Sequence, residues 1–400
     1  MKDSDIKDVC NEKIKKEFDN LWDISKFIYD NPELGFEEKK ACKILTDYLI
    51  QKDFMVEIGI AGLPTAFKAT YKKGNSNTRI AVFAEYDALP KLGHACGHNL
   101  IAASALGTAI AVKSALLKSE LEGTIEIYGT PAEEDGGGKI ILLNQGCFDG
   151  LDAVFLMHPT SAKTRIGGEC ISFSEYRIEY FGKSAQAESH PDNGINALDA
   201  ASLFYSAVGM MRQQLKDGIH ICSIISKAGE DIGQIPDYTQ VDLEVSSMQS
   251  NDIESTKIKL KEIARGMGIA TGCRMKFTEI PGYLGRIPNT TLANICKKEL
   301  ISLSEEVMEG LPSDKGGEDL GNVSRVIPIC NLYTTLLPER KISGHTPEFK
   351  KLAISEAGKH CLKISSNAMA RSIVELFIHP EYINEAKIEL EKRSEVFLNE

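Results

Sequence analysis

The run Arg79-Ile80-Ala81-Val82-Phe83-Ala84 is apolar at every position after the first, which predicts a short strand buried on both faces of a sheet. The pattern continues downstream. A helix of small residues spans 99–117, a second strand covers Gly123–Gly129, a helix lies around Gly138–Asn144, and a third strand runs over Asp152–Met157. The order β-α-β-α-β implies a parallel sheet with helical crossovers. Ligands of such sheets gather beyond the carboxyl ends of the strands. Here those positions hold Asp87, then Glu133-Glu134-Asp135, then His158.

Upstream, Lys13 to about Tyr29 reads as a helix broken by Asn31-Pro32-Glu33-Leu34-Gly35, and a second helix covers Glu37–Lys52. Downstream of Gly167 the texture changes. Strands are expected at Ile171–Phe181, Ile219–Lys227, Tyr238–Val245 and Arg274–Ile280, with helices at Gly194–Arg212 and Asn251–Arg265. That is the β-α-β-β-α-β order of a ferredoxin-like unit, with boundaries near Gly167–Glu169 and Pro281–Pro288. Helix 292–303, an apolar stretch near 326–332 and a helix from Ile354 then resume the first style. The fold class is therefore α/β, a parallel-sheet domain (1–167 and 285–400) interrupted by an inserted ferredoxin-like α+β domain (168–284).

The 400 residues, 42% hydrophobic and 26% charged, suit a globular chain of two or three folding units. A net charge of −11 argues against nucleic acid or an anionic membrane as partner. Leu100–Leu117 is long enough to span a bilayer, but Ser104, Thr108, Lys113 and its many Ala and Gly residues favour a buried core helix. Ten scattered cysteines without a C-x-x-C pair, and an acidic start at Met1–Lys7, point to a reducing cytoplasm.

Three clusters could carry chemistry. In Gly93-His94-Ala95-Cys96-Gly97-His98-Asn99, an extended backbone would turn Cys96 and His98 to one side, a thiolate and an imidazole suited to zinc. In Pro131-Ala132-Glu133-Glu134-Asp135, one carboxylate can ligate a metal while its neighbour handles a proton. His158 closes a buried strand, and His345 precedes a helix far downstream. Taken singly, each cluster also reads as a loop thiol, a solvated acidic turn or a structural histidine. Together they suffice for a two-metal site. Gly136-Gly137-Gly138-Lys139 lacks phosphate-loop spacing, and no Gly-x-Ser-x-Gly elbow occurs.

These residues also resemble the M20 metallopeptidase and amidohydrolase family, in its cysteine-containing branch of aminobenzoyl-glutamate hydrolase and dipeptidase-like members. The blocks Asn31–Glu38, Glu85–Pro90, His94–Asn99, Pro131–Glu134, Met157–Pro159, Gly317–Ser324 and Gly344–Phe349 occur in family order. The resemblance implies two divalent ions per chain (Zn first, with Mn, Co or Ni as other fits), a small amide substrate and an inserted lid that forms a homodimer. It implies that Cys96 bridges the metals and that His98, Glu134, His158 and His345 are the further ligands. Glu133 would be the general base towards a metal-activated water, and Asp87 would orient the site.

The lid departs from the family pattern. In Phe181-Gly182-Lys183-Ser184-Ala185-Gln186-Ala187-Glu188, Gln186 stands where the family has an oxyanion-binding His; a Gln amide can donate but carries no charge. His190 is a nearby substitute and His220 a looser one. Gln234 replaces Asn in the "NxxPD" block, and Ser246 falls where many members grip a carboxylate with Arg. The expected function is hydrolysis of an amide in a small N-acyl amino acid or dipeptide-like substrate. The alternative is a metal-retaining, non-catalytic binding or regulatory member.

Overall fold

The computed structural model describes residues 2–280 and 282–399. Met1, Pro281 and Glu400, which bound segments expected from sequence, lie outside the described residues. The chain divides into two compact units, one of residues 2–169, 286–314 and 318–399, the other of 170–285 and 315–317.

The strands in chain order are β1 (Met55–Ile58), β2 (Phe67–Lys73), β3 (Arg79–Ala84), β4 (Gly123–Gly129), β5 (Ala153–Thr160), β6 (Arg165–Ile166), β7 (Ser172–Phe181), β8 (His220–Lys227), β9 (Tyr238–Ser247), β10 (Arg274–Ile280) and β11 (Ile329–Thr335). The helices are α1 (Asp3–Asp30), α2 (Lys39–Gln51), α3 (His98–Lys118), α4 (Gly138–Asn144), α5 (Ala197–Met211), α6 (Ser250–Thr271), α7 (Thr290–Ser302), α8 (Leu320–Val323), α9 (Pro347–Leu352), α10 (Glu356–Ile378) and α11 (Glu381–Asn399).

The first unit holds a seven-stranded sheet in the order β1-β2-β4-β3-β5-β11-β6. Its centre, β4-β3-β5-β11, is parallel, and these are the continuously buried runs that the sequence displays. The wholly parallel sheet expected from sequence is corrected to a mixed one. β1 and β2 pair antiparallel to each other, β2 is antiparallel to β4, and β6 is antiparallel to β11. Along β2, Phe67 and Ala69 are buried while Lys68 and Thr70 are half-buried. This alternation of a half-solvated edge carries no continuous apolar signal.

Helix α3 is buried along nearly its whole length and packs against α1, α10 and the central strands. A Cβ on its Gly107 would stand 2.7 Å from Ser366 Oγ and 3.1 Å from Leu21 Cδ1. Small residues here let three helices approach closely, so a helix long and apolar enough to cross a membrane serves as core.

The second unit holds a four-stranded antiparallel sheet in the order β10-β7-β9-β8. Helices α5 and α6 pack on it through Ala200, Ala201, Phe204, Leu260 and Ala264.

Candidate metal centre

The loops that follow β3 and β4, the end of β5 and the turn before α9 bring their ligand atoms together. The C-x-H pair does not use the extended backbone expected for it. Gly97 is left-handed (φ 85°), and His98 is the first residue of α3. A Cβ at Gly97 would lie 2.5 Å from Pro159 Cγ, so conformation and space both require glycine there. His158 lies within β5 rather than beyond it, paired in register with Tyr333 of β11.

Cys96 Sγ is 3.3 Å from His158 Nε2, and His158 Nδ1 lies 2.7 Å from the Pro159 carbonyl. The carbonyl accepts a hydrogen bond from Nδ1–H, which leaves Nε2 as the coordinating face. His98 is arranged likewise, with Nδ1 2.9 Å from Asp87 Oδ1 and 3.0 Å from the Asp87 carbonyl. Its Nε2 then faces Glu133 Oε2 and Glu134 Oε1, each at 3.8 Å. His345 Nε2 reaches Glu134 Oε1 at 3.3 Å, and its own N–H donates to the Ala95 carbonyl, tying the distal loop to the cysteine loop. Three overlapping groups result, Cys96–His98–His158, Cys96–Glu134–His345 and His98–Glu133–Glu134, each with ligand atoms within 4.8 Å of one another.

Asp87 belongs to none of these groups but organises them. Its second oxygen accepts from the Glu134 N–H at 3.0 Å. Burial alone would raise its carboxyl; the His98 charge, that ring's hydrogen bond and the Glu134 amide outweigh burial and hold it at about 2. Burial drives the Cys96 thiol upward, with Glu134 adding to the effect. Burial and the charges of Glu85, Asp319 and Glu134 drive Glu133 well above the carboxylate range. The centre thus gathers acidic groups that burial holds back from ionising without a cation beside them. His98 Nε2 is fully buried without an aligned hydrogen-bond partner among the described residues. An orphaned imidazole nitrogen, a thiol that needs a cation to ionise and a surplus of carboxylates fit divalent metal.

Sequence reasoning assigned no role to the group behind this cradle. Lys139, completely buried at the start of α4, places Nζ 2.6 Å from both Glu85 Oε1 and Asp319 Oδ1. Its backbone N–H donates to Asp319 Oδ2 at 3.0 Å. Glu85 Oε2 is buried, has no aligned partner among the described residues, and lies 3.7 Å from His98 Nε2. The available signal was position alone, since Glu85, Lys139 and Asp319 stand inside the stretches Glu85–Pro90, Gly136–Lys139 and Gly317–Ser324.

The lid candidates all belong to the second unit, outside the ligand groups found among the described residues. Gln186 and Gln234 face each other across an isolated antiparallel bridge, and Gln234 Nε2 donates to Ser184 Oγ at 2.5 Å. The His190 N–H donates to the Gln186 carbonyl. His220 opens β8, opposite the buried Ser246 of β9. A cavity of about 540 Å³ in this unit is lined by Gln234, Asp237 and Tyr238 among others, and by none of Cys96, His98, Glu134, His158 and His345.

Residues 81–363 match peptidase family M20/M25/M40. The chain is 32% identical over 385 residues to the mouse (Mus musculus) Xaa-Arg dipeptidase, covering 92% of this chain and 88% of the relative. It is 26% identical over 347 residues to a component of the Escherichia coli p-aminobenzoyl-glutamate hydrolase, covering 78% and 71%. Among solved structures, a Bacillus subtilis protein described as a dinuclear metal binding peptidase superposes with a TM-score of 0.69 at 23% identity, over 91% of this chain and 99% of that one.

Proposed function

The chain belongs to peptidase family M20/M25/M40, and on that premise we propose that it hydrolyses the amide bond of a dipeptide-like or N-acyl amino acid substrate. The observation that carries this reading is the convergence of Cys96, His98, Glu133, Glu134, His158 and His345 on one small volume. Cys96, His98, Glu134, His158 and His345 would hold two divalent ions, with Cys96 common to two of the ligand groups; Zn would suit the thiolate and imidazole set, and Mn, Co or Ni are the other fits. When bound, such ions lower the pKa of water and polarise the scissile carbonyl. Glu133 Oε2 takes the proton of the attacking water and returns it to the leaving nitrogen. Burial, and then the Glu85 charge, raise its affinity for that proton. Asp87 holds the His98 tautomer.

Residues 168–284 act as a ferredoxin-like lid and dimerisation domain inserted between 1–167 and 285–400. Gln186, with His190 or His220 as substitute donors, and Gln234 serve the substrate side. Ten free thiols favour a reducing, cytoplasmic setting. The relatives' names direct the first substrate panel to Xaa-Arg dipeptides, p-aminobenzoyl-glutamate and N-acetyl amino acids.

The test uses the metal-replete protein. Glu133→Ala should keep both ions and lower turnover by about 10²–10⁴. Gln186→His should raise turnover on N-acyl amino acids, unless His190→Ala shows that His190 already fills that role. Wild-type protein inert towards the whole panel, and still inert as Gln186→His, would refute the hydrolytic reading in favour of a metal-retaining binding protein.

A further inference from the structure

The block Asn31–Glu38 has so far received no task, yet it touches both loops that carry the metal ligands. Glu38 is completely buried. Its Oε1 accepts the Phe36 N–H and the Ala132 N–H, both at 2.9 Å, and its Oε2 accepts the Thr65 hydroxyl at 2.8 Å. Phe36 (φ 64°) and Ala132 (φ 56°) are both left-handed without being glycine, a conformation that persists only where its surroundings impose it. One carboxylate oxygen therefore restrains two strained residues, and the second of them directly precedes Glu133.

The packing leaves little freedom. A Cβ on Gly35 would meet Ala132 Cβ at 2.8 Å, and one on Gly136 would meet the Phe36 ring at 2.5 Å. The Ala132 carbonyl closes the turn by accepting from the Gly137 N–H at 2.9 Å. The same block reaches the other loop, where the Glu33 carbonyl accepts the Ala88 N–H at 2.8 Å, one residue past Asp87. The Glu33 carboxylate anchors the block to the start of α2 through the Lys40 and Ala41 amides.

The geometry points to Glu38 as a positioning residue that holds Ala132 left-handed, so that Glu133 and Glu134 face the metal centre in fixed registration with Asp87. This rests on the hydrolytic reading above for its effect on turnover, though not for its effect on the loop. The role lies in hydrogen-bond geometry rather than charge. A Gln at 38 can still accept both N–H groups through its oxygen and donate to Thr65, whose hydroxyl reverses its part.

The experiment compares metal-loaded wild type, Glu38→Gln, Glu38→Ala, Glu38→Asp and Glu38→Ala/Ala132→Gly. Turnover, KM, metal content and amide hydrogen exchange over 130–137 are measured for each. Glu38→Ala should lower kcat by about 10²-fold, the usual consequence of an ångström-scale misplacement. KM should stay within a few fold, metal content should be unchanged, and exchange over 130–137 should accelerate. Glu38→Asp, too short to span both loops, should behave alike and serves if the alanine variant does not fold. Glu38→Gln should stay within a few fold of wild type, and Ala132→Gly, which removes the strain, should restore part of the loss. Exchange over 130–137 unchanged in Glu38→Ala and Glu38→Asp would overturn the inference, as would a Glu38→Gln loss equal to that of Glu38→Ala. If wild type cleaves no amide, the hydrolytic reading fails while the exchange comparison still decides the role of Glu38.

Discussion

Replacing Lys139 by Met removes one charge from a group whose three members are each no more than 2% exposed. Met is unbranched and one heavy atom shorter than Lys, so the perturbation is mainly electrostatic. Asp319 would retain the Lys139 backbone N–H. Glu85 would lose its 2.6 Å ion pair, and its other oxygen already lacks an aligned partner among the described residues. Breaking a buried pair by deleting one partner typically costs about 3–5 kcal/mol, because the remaining charge stays buried. For a unit of this size that corresponds to a fall in Tm on the order of 10 °C. The pH dependence gives a sharper check. Burial holds Asp319 up at about 6, even though Lys139 pulls it down. A folded-state pKa raised above the unfolded value means that protonation favours the folded chain, and stability is lost as pH rises through the folded value. Without Lys139 that value climbs further, so the variant should be most destabilised near pH 8 and should recover towards wild type as pH falls towards 6. Thermal unfolding of both proteins across pH 5–8 measures the difference. A deficit below about 1 kcal/mol at pH 8, or one independent of pH, would refute the reasoning.

Cys96→Ser together with His158→Ala should lower metal content below that of wild type after dialysis, because a thiolate and an imidazole leave two of the three ligand groups; unchanged stoichiometry would remove both from the ligand set. On the proposed reading, the second unit should carry a two-fold dimer through the β8 edge and the exposed Leu203 and Met210, which lie seven residues apart on α5. Light scattering should show a dimer that Leu203→Glu/Met210→Glu converts to monomer, and a monomeric wild type would exclude it. Glu17, only 6% exposed, meets Lys13, Lys52 and Tyr48; these partners outweigh burial and lower its carboxyl to about 2. A depressed folded-state value contributes stability above the unfolded pKa that is lost as pH falls. Glu17→Gln should therefore cost about 1–3 kcal/mol at pH 7, a cost that shrinks as pH falls from about 4 towards 2, measured by urea unfolding.

What could be read from the chain and what could not divides along a physical line. Strands β3 and β4 agree with their expected bounds because buried parallel strands write themselves as unbroken apolar runs. Glu133, Glu134 and His158 could be singled out because they stand at or just past strand ends, where such sheets place their sites, and Cys96 and His98 because a thiol and an imidazole two residues apart are a ligand-type pair. β1 and β2 were missed because a half-solvated edge interleaves Lys68, Thr70 and Lys72 with its buried residues. Glu38, Glu85, Lys139 and Asp319 were missed for a different reason. In sequence they are ordinary charged residues of the kind that covers a surface, and only burial separates them from Glu37 or Lys40. Their pairings join Glu38 to Ala132 and Lys139 to Asp319 across 94 and 180 residues, distances that no local periodicity spans. Residues that ligate metal must be of a few chemical types, whereas a carboxylate that restrains a loop needs only the right neighbour in space. The residues that hold the ligands in place are therefore the part of this centre that required coordinates, and the Lys139 and Glu38 variants act on that part while leaving every proposed ligand intact.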